Sequence, residues 1–467
     1  MSSTSDSCST AAVESENMNS IVGDWNGKIE IGSGMSLPIV FHFQQAESAY
    51  KGSMESPAQS SKLIEFDEVV LSKEGQVTAK IAKLTAEFKG KLNKETGKLE
   101  GTWTQGGATL PLQLTRGAYA APLRPQEPKP PFPYKSQNIT FKNGDVTLAG
   151  TLTTPEKASS GKGFPCVILL HGSGPHDRDE TIFNHKPFLV IADYLTRNGI
   201  AVLRYDKRGC AKSTGAYKSS TSADFASDGI AAINYLKTCP EIDPHKIGLI
   251  GHSEGGVLAP MMGAKAPEDV RFMVLLAASA LNGEKILLSQ IRDLGRGVST
   301  PESTKKELEL SSKTYAIVKG QPDNEKAIKE ILQMRKDMGI DKDIADEADR
   351  IERDNNVKLS IEILTGPWYR FFLTYEPEAD LRMVKCPVLA INGDKDVQVA
   401  ADENLPVIKA ALESGGNKNI RIEKLANINH LMQSSKTGQP NEYSTIEETI
   451  SPTVLQLLTS WIKETAN

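Results

Sequence analysis

The sequence predicts an α/β domain, built on a mostly parallel sheet with helices on both faces, that follows a small all-β domain. After residue 138, short apolar runs alternate with amphipathic segments of helical length, a pattern typical of parallel strands covered on both faces. Before residue 117, short β-branched and aromatic stretches are separated by turn residues, which is typical of a small barrel or sandwich. A proline-rich stretch separates the two regions.

The amino-terminal part of the chain falls into three segments that differ in composition. Residues 1–20 are rich in serine and threonine and lack the basic start and apolar stretch of a signal peptide, so we expect a disordered leader. Residues 21–117 are the predicted β domain, with Trp25 and Trp103 in its core. Residues 118–137 are a predicted semi-rigid linker, because closely spaced prolines exclude a helix or a central strand.

Residues 138–467 form the predicted α/β domain. A hairpin that turns at Asn143-Gly144 begins it. Its buried strands are expected at 166–170, 201–205, 247–250, 272–277 and 388–391. Residues 283–376 interrupt this alternation with a charged, helix-rich segment that is too long for an ordinary loop. We therefore expect an inserted helical cap.

Composition also limits the classes of function. The formal net charge of −5 at pH 7 argues against a general electrostatic affinity for nucleic acid or anionic membranes. No apolar run approaches the roughly 18 residues of a membrane span, and the five cysteines lack zinc or redox spacing. We expect a soluble protein, in the cytoplasm or, if a signal peptide has been removed, in the periplasm or outside the cell.

The stretch Gly251-His-Ser-Glu-Gly255 carries the clearest chemical signal. It is a G-x-S-x-G motif that follows an apolar strand and precedes a segment able to form a helix, the context in which such a serine is a nucleophile. Glycines at 251 and 255 permit a tight turn, because a side chain there would crowd the neighbouring backbone. The sequence therefore predicts Ser253 as a nucleophile exposed in a cleft.

A serine nucleophile needs a base and an acid that orients it. In this strand–serine–helix arrangement the acid and then the histidine follow the serine along the chain. His430 is the only histidine after Ser253, so it is the predicted base. Two carboxylates follow the preceding strand, and we choose Asp396 over Asp394, which lies in the turn itself and can cap backbone amides.

Acyl transfer also needs donors for the oxyanion. One is expected from the backbone amide of Glu254, the residue after the nucleophile. The other is expected from the glycine-containing loop after the first buried strand, from the amide of Ser173 or, second, of Gly174.

Together these motifs resemble α/β-hydrolase serine esterases, and more narrowly bacterial esterases with an additional amino-terminal β domain, related to the serine aminopeptidase and dienelactone hydrolase groups. The resemblance covers roughly residues 138–467. It is carried by His171-Gly-Ser-Gly174, Tyr205-Asp-Lys-Arg-Gly209, Gly251-His-Ser-Glu-Gly-Gly256, Gly393-Asp-Lys-Asp396 and Asn429-His430. The resemblance implies Ser253 as nucleophile, His430 as base, Asp396 as acid, and no cofactor.

The predicted reaction is hydrolysis of a small-molecule carboxylic ester through an acyl-enzyme. Aromatic residues at the end of the cap, Trp368, Tyr369 and Phe372, either pack the cap onto the sheet domain or line a substrate pocket, and their bulk favours short acyl chains. A homodimer, or a carbohydrate contact through the β domain, is left open.

Other functions fit less well. An aminopeptidase would use the same triad but needs a carboxylate for the substrate amine, from Glu254 or from the cap acids Asp346, Glu347, Asp349 and Glu352. A metal site at His171 and His176 lacks a helix that would face both rings one way. Gly248-Leu-Ile-Gly251 does not match a dinucleotide-binding fingerprint. A binding protein without activity would not need a complete triad.

Overall fold

A computed structural model describes residues 20–30, 36–47, 49–57, 60–105, 108–156, 163–340 and 357–466. The chain forms two compact units. The first, here the β unit, comprises Met1–Ala121 with Asp341–Ser360. The second, here the α/β unit, comprises Pro122–Ile340 with Ile361–Asn467.

The β unit contains an antiparallel sheet of nine strands in the order β4-β3-β2-β1-β9-β8-β7-β6-β5. The strands are β1 Gly23–Glu30, β2 Ser36–Ala46, β3 Ala49–Ser56, β4 Ser60–Glu65, β5 Glu68–Leu71, β6 Gln76–Ile81, β7 Ala86–Asn93, β8 Lys98–Gln105 and β9 Ala108–Arg116. Strand β3 also contacts β5, which lies at the far edge of this order, so the sheet curls around its interior. This agrees with the predicted all-β region.

Aromatic side chains fill the interior of the β unit. Phe41 meets Phe66 and Phe88 edge to face, with ring centroids 5.1 and 5.4 Å apart, an arrangement that aromatic rings favour. Trp25 and Trp103 are both buried in the same cluster. The two tryptophans therefore lie where the sequence predicts.

The α/β unit is built on a mixed sheet of eight strands in the order β10-β11-β13-β12-β14-β15-β16-β17. Strands β10 and β11 form an antiparallel hairpin and β11 pairs antiparallel with β13, whereas all later pairs are parallel. The strands are β10 Tyr134–Asn143, β11 Val146–Pro155, β12 Phe164–Leu170, β13 Ala201–Tyr205, β14 Ile242–His252, β15 Phe272–Leu276, β16 Val388–Gly393 and β17 Ile420–Leu425. This confirms the predicted α/β architecture.

Helices follow the strands of this sheet, and some of them cover its two faces. They are α1 Pro187–Arg197, α2 Ser222–Leu236, α3 Gly255–Lys265, α4 Gly283–Leu294, α5 Pro301–Gly320, α6 Asn324–Asp337, α7 over 357–364, α8 Pro367–Thr374, α9 Pro377–Met383, α10 Ala401–Ser414 and α11 Pro452–Ala466. Along β12, Ile168 belongs to one apolar cluster while Val167 and Leu169 belong to the other. Double-sided burial explains the continuously apolar strand sequences. No helix of the described residues is long and apolar enough to cross a membrane.

The proline-rich stretch is held by side-chain hydrogen bonds within the α/β unit. Gln126 donates to the carbonyl of Ile450 at 2.7 Å and accepts from the Thr449 amide at 2.6 Å. Arg124 donates to the carbonyls of Ser444 and Asn184 at 2.9 and 3.0 Å. Within the predicted linker at 118–137, these two polar side chains satisfy loop backbone groups and dock the stretch.

Candidate active site

A sharp turn between β14 and α3 carries Ser253. Its φ of 53° lies in the left-handed region, which is rare for a residue with a side chain and marks strain at functional sites. A Cβ at Gly251 would lie 2.0 Å from the carbonyl oxygen of Gly255, and a Cβ at Gly255 would lie 2.0 Å from that of Leu170. Glycine is therefore required on both sides of the serine, as the motif predicts.

The structure brings Ser253, His430 and Asp396 into one hydrogen-bonded chain. Ser253 Oγ lies 3.1 Å from His430 Nε2, and His430 Nδ1 lies 2.9 Å from Asp396 Oδ2. The histidine lies in the loop after β17 and the carboxylate in the loop after β16, and both are buried. The carboxyl ends of these parallel strands place the three side chains at one edge of the sheet.

Backbone amides hold the Asp396 carboxylate in place. Its Oδ1 accepts from the amides of Gln398 and Val399, both at 2.8 Å, which leaves Oδ2 for the histidine. The neighbouring Asp394 instead accepts from the amide of Asn427 at 2.7 Å. The two carboxylates of this loop thus have separate partners, and only Asp396 faces His430.

The loop after β12 supplies amides next to the serine. The Gly172 amide donates to Glu180 Oε1 at 2.6 Å. The backbone of Gly174 forms a hydrogen bond to the Tyr217 phenol, which works to lower the pKa of that phenol. Burial and the Glu254 carboxylate outweigh this hydrogen bond and raise the pKa. Within the described ranges, the amides of Ser173 and Glu254 donate to no backbone carbonyl. These are the two amides that the sequence favours as oxyanion donors.

The Glu254 side chain is surrounded by donors. Its Oε2 lies 2.9 Å from Lys207 Nζ, and its Oε1 accepts from Ser222 Oγ and Trp368 Nε1, both at 2.6 Å. Glu254 and Lys207 are buried, and a buried charge is tolerated only when it is paired and hydrogen-bonded. Sequence reasoning missed Lys207 as a neighbour of the site, although it lies inside the Tyr205–Gly209 motif.

A second buried ion pair lies on the other side of the serine. His252 Nδ1 lies 3.2 Å from Glu180 Oε1, and His252 Nε2 lies 2.9 Å from the carbonyl oxygen of His430. Burial by itself would lower the pKa of His252, but the Glu180 carboxylate outweighs it and the pKa is raised. Burial works to raise the pKa of Glu180, but His252 prevails and lowers it to about 2. Sequence reasoning did not single out Glu180.

Two histidines, His171 and His176, lie in the loop after β12. The rings of His171 and His176 are stacked 6.1 Å apart, and burial lowers the pKa of His171 to about 3. In the part of the chain that the structure describes, no group of three or more His, Cys, Asp or Glu side chains could hold a metal ion.

Helix α8 carries the predicted pocket aromatics. The rings of Trp368 and Phe372 are stacked with centroids 4.9 Å apart, and Tyr369 meets Trp368 edge to face at 4.8 Å. Because Trp368 donates to the Glu254 carboxylate, this helix lies directly beside the residue that follows Ser253. The cap acids Asp346, Glu347, Asp349 and Glu352 lie outside the described residues.

Comparison with known proteins identifies the family of this chain. A family model described as serine aminopeptidase, S33, matches residues 165–434, which is more than half of the chain. The esterase EstD of Thermotoga maritima is 28% identical over 311 residues, which cover 65% of this chain and 63% of that esterase. The chain thus spans less than two thirds of the length of this relative.

Solved structures with similar folds include a proline iminopeptidase from Mycobacterium smegmatis, 17% identical with a TM-score of 0.43, which covers 71% of this chain and 99% of that one. An esterase from Pyrococcus furiosus is also 17% identical, with a TM-score of 0.41, and covers 72% of this chain and 94% of that one. Neither score reaches 0.5, so the assignment depends on the family model. The chain belongs to the serine aminopeptidase S33 family of α/β-hydrolases.

Proposed function

We propose that the protein is a serine hydrolase that cleaves small-molecule carboxylic esters through an acyl-enzyme. The observation that carries the proposal is the hydrogen-bonded chain from Ser253 Oγ through His430 to Asp396 Oδ2. A nucleophile in hydrogen-bond contact with a base that a third group orients is the arrangement required for covalent acyl transfer. The 28% identity to an esterase supports the ester as the substrate bond.

In the proposed reaction, Ser253 Oγ attacks the ester carbonyl carbon while His430 Nε2 takes the serine proton. The electron pair of the C=O π bond moves to the carbonyl oxygen, which the amides of Ser173 and Glu254 hold. The C–O bond to the alcohol then breaks, and His430 protonates the leaving alcohol. Water repeats the cycle on the acyl-enzyme and releases the acid, while Asp396 stabilises the imidazolium throughout.

An aminopeptidase is the second candidate, because the family is named for that activity. Such an enzyme needs a carboxylate that can bind the free amine of its substrate. Glu254, the residue after Ser253, carries one candidate carboxylate, and both of its oxygens are already engaged by Lys207, Ser222 and Trp368. A substrate ammonium bound there would lie beside the Lys207 ammonium, and two like charges in a buried site repel each other. This favours the ester.

The acyl group is proposed to be short. Trp368, with the Phe372 ring stacked on it, donates to the side chain of Glu254, whose backbone amide is a proposed oxyanion donor. Bulky rings that are fixed by a hydrogen bond leave less room than flexible aliphatic side chains would. A long acyl chain would have to displace them.

The proposal is tested by steady-state hydrolysis of p-nitrophenyl esters from acetyl to palmitoyl, beside aminoacyl p-nitroanilides, with Ser253→Ala as the control. We expect cleavage of short esters that falls by about 10⁴-fold or more in Ser253→Ala. Cleavage of anilides in preference to esters would instead identify an aminopeptidase. Ester hydrolysis that survives in Ser253→Ala would exclude the mechanism.

A further inference from the structure

We infer that Lys207 is a positioning residue that holds both halves of the oxyanion hole in their working orientation. The inference rests on the proposed function, because it concerns how the two donor amides of the same site are held. Lys207 lies in the loop that follows β13, and its side chain is only 3% exposed.

The Lys207 ammonium group makes three polar contacts. Its Nζ lies 2.8 Å from the carbonyl oxygen of Gly172, 3.2 Å from that of Gly174 and 2.9 Å from Glu254 Oε2. An ammonium has three N–H donors, so these contacts use all of them. One cation thus joins the loop that carries Ser173 to the residue that follows the nucleophile.

The contact with Gly172 determines where the Ser173 amide points. The carbonyl of Gly172 and the N–H of Ser173 belong to one planar trans peptide, in which the two groups point in opposite directions. A hydrogen bond that draws the Gly172 oxygen toward Lys207 therefore turns the Ser173 N–H away from Lys207. It also polarises that peptide, which strengthens the N–H as a donor.

The second donor is held through the side chain of its residue. Glu254 supplies the other amide of the proposed oxyanion hole, and its carboxylate is anchored to Lys207, Ser222 and Trp368. The Lys207 ammonium also lies 4.3 Å from the centre of the Phe225 ring, a distance at which a cation is attracted to an aromatic face. These contacts keep the ammonium in one place within a buried site.

The test compares Lys207→Met with the double variant Lys207→Met/Glu254→Gln. Exposed Lys212, in the same loop, provides the matched control Lys212→Met. For Lys207→Met we expect kcat of ester hydrolysis to fall by about 10²–10³-fold, as for loss of an oxyanion donor, with KM little changed. The rate constant for labelling of Ser253 by a fluorophosphonate should fall in proportion, because its P=O oxygen enters the same site. Lys212→Met should match the wild type.

The double variant separates positioning from simple charge neutralisation. Lys207→Met alone leaves a buried unpaired carboxylate, which can cost about 3–5 kcal/mol and impair folding, whereas Glu254→Gln in the same chain removes that charge. We expect the double variant to fold, by circular dichroism, and to remain slow in both assays. Recovery of kcat in the double variant would show that Lys207 only neutralises Glu254, and would overturn the inference.

Fluorophosphonate labelling keeps this test separate from the proposed function. It reports on Ser253 whatever the natural substrate, so a protein that cleaves amides rather than esters would still be informative. Labelling of Lys207→Met within about threefold of the wild-type rate would overturn the role of Lys207. That result would leave the proposed serine-dependent ester hydrolysis uncontradicted.

Discussion

The β unit and the α/β unit bury different kinds of side chain. The interior of the β unit is aromatic and aliphatic, and among the described residues its buried polar side chains are those of Ser53 and Ser56. The α/β unit buries many charged or ionisable groups, among them Glu180, Lys207, His252, Glu254, Asp396 and His430. Buried charges are costly unless paired, and here they lie around Ser253.

This difference separates residues that hold a fold from residues that prepare a reaction. In the β unit, packed rings such as Phe41 and Phe88 stabilise by removing apolar surface from water. Around Ser253, the ion pairs His252–Glu180 and Lys207–Glu254 form hydrogen bonds with backbone groups of Gly172 and His430. Substitutions in the two regions should therefore affect different measurements.

The largest effect is expected for Asp396→Asn. Loss of this carboxylate leaves the His430 Nδ1–H and the imidazolium without their partner, and kcat should fall by about 10⁴-fold while the protein stays folded. The matched control is Asp394→Asn, in the same loop, which should change kcat by less than about threefold because Asp394 caps the Asn427 amide. A larger loss in Asp394→Asn than in Asp396→Asn would reverse the assignment of the acid.

The next largest effect is expected in the β unit, for Phe41→Ala. Removal of a fully buried ring should lower the free energy of unfolding by about 3–5 kcal/mol, measured by urea unfolding. The ring contacts of Phe41 are all with residues of the same unit, so kcat of the folded protein should be unchanged. Leu63→Ala, at a position 50% exposed, should be nearly neutral. A fall in kcat for Phe41→Ala would contradict the separation of the two regions.

A pH effect is expected from His185 in the α/β unit. Burial, helped by the nearby Arg124 guanidinium, lowers the pKa of His185 to about 4. Between pH 6.5 and 4 the unfolded chain takes up a proton that the folded chain excludes, so stability is present above pH 6.5 and is lost as the pH falls toward 4. The loss from this group reaches roughly 3 kcal/mol.

His185→Gln removes this titration and should flatten the dependence of Tm on pH between 6.5 and 4. Exposed His245 provides the control His245→Gln, which should keep the wild-type slope. A slope for His185→Gln equal to that of the wild type would show that His185 does not contribute to acid sensitivity.

The smallest effect is expected for Trp368→Phe. This change keeps a ring to stack on Phe372 but removes the N–H that donates to Glu254 Oε1. Because Lys207 and Ser222 remain on that carboxylate, we expect a loss of about 1–2 kcal/mol in stability and a measurable fall in kcat/KM. Tyr375→Phe removes a hydrogen bond to Asp380 from the end of the same helix. Tyr375→Phe should lower the free energy of unfolding without lowering kcat/KM. Equal kcat/KM values for Trp368→Phe and Tyr375→Phe would contradict a link between Trp368 and the site.

The strand pattern and the three triad positions could be predicted because both depend on local sequence and chain order. Apolar runs reveal strands buried on both faces, and Ser253, Asp396 and His430 each follow a strand in the order that the fold requires. The docking of the stretch around Gln126 could not be predicted, because its partners Thr449 and Ile450 are more than 300 residues away along the chain.

By itself, the sequence determined the α/β architecture, the aromatic core of the β unit and the glycines that force Ser253 into its turn. These are set by hydrophobic periodicity and by backbone sterics, which act over a few residues. Only the tertiary structure decided the partners of the buried charges. Lys207 and Glu254 are 47 residues apart, and Glu180 and His252 are 72 apart. Ion pairs between such distant residues form because parallel strands of one sheet end at the same edge of that sheet, and nothing in the local sequence reports that juxtaposition.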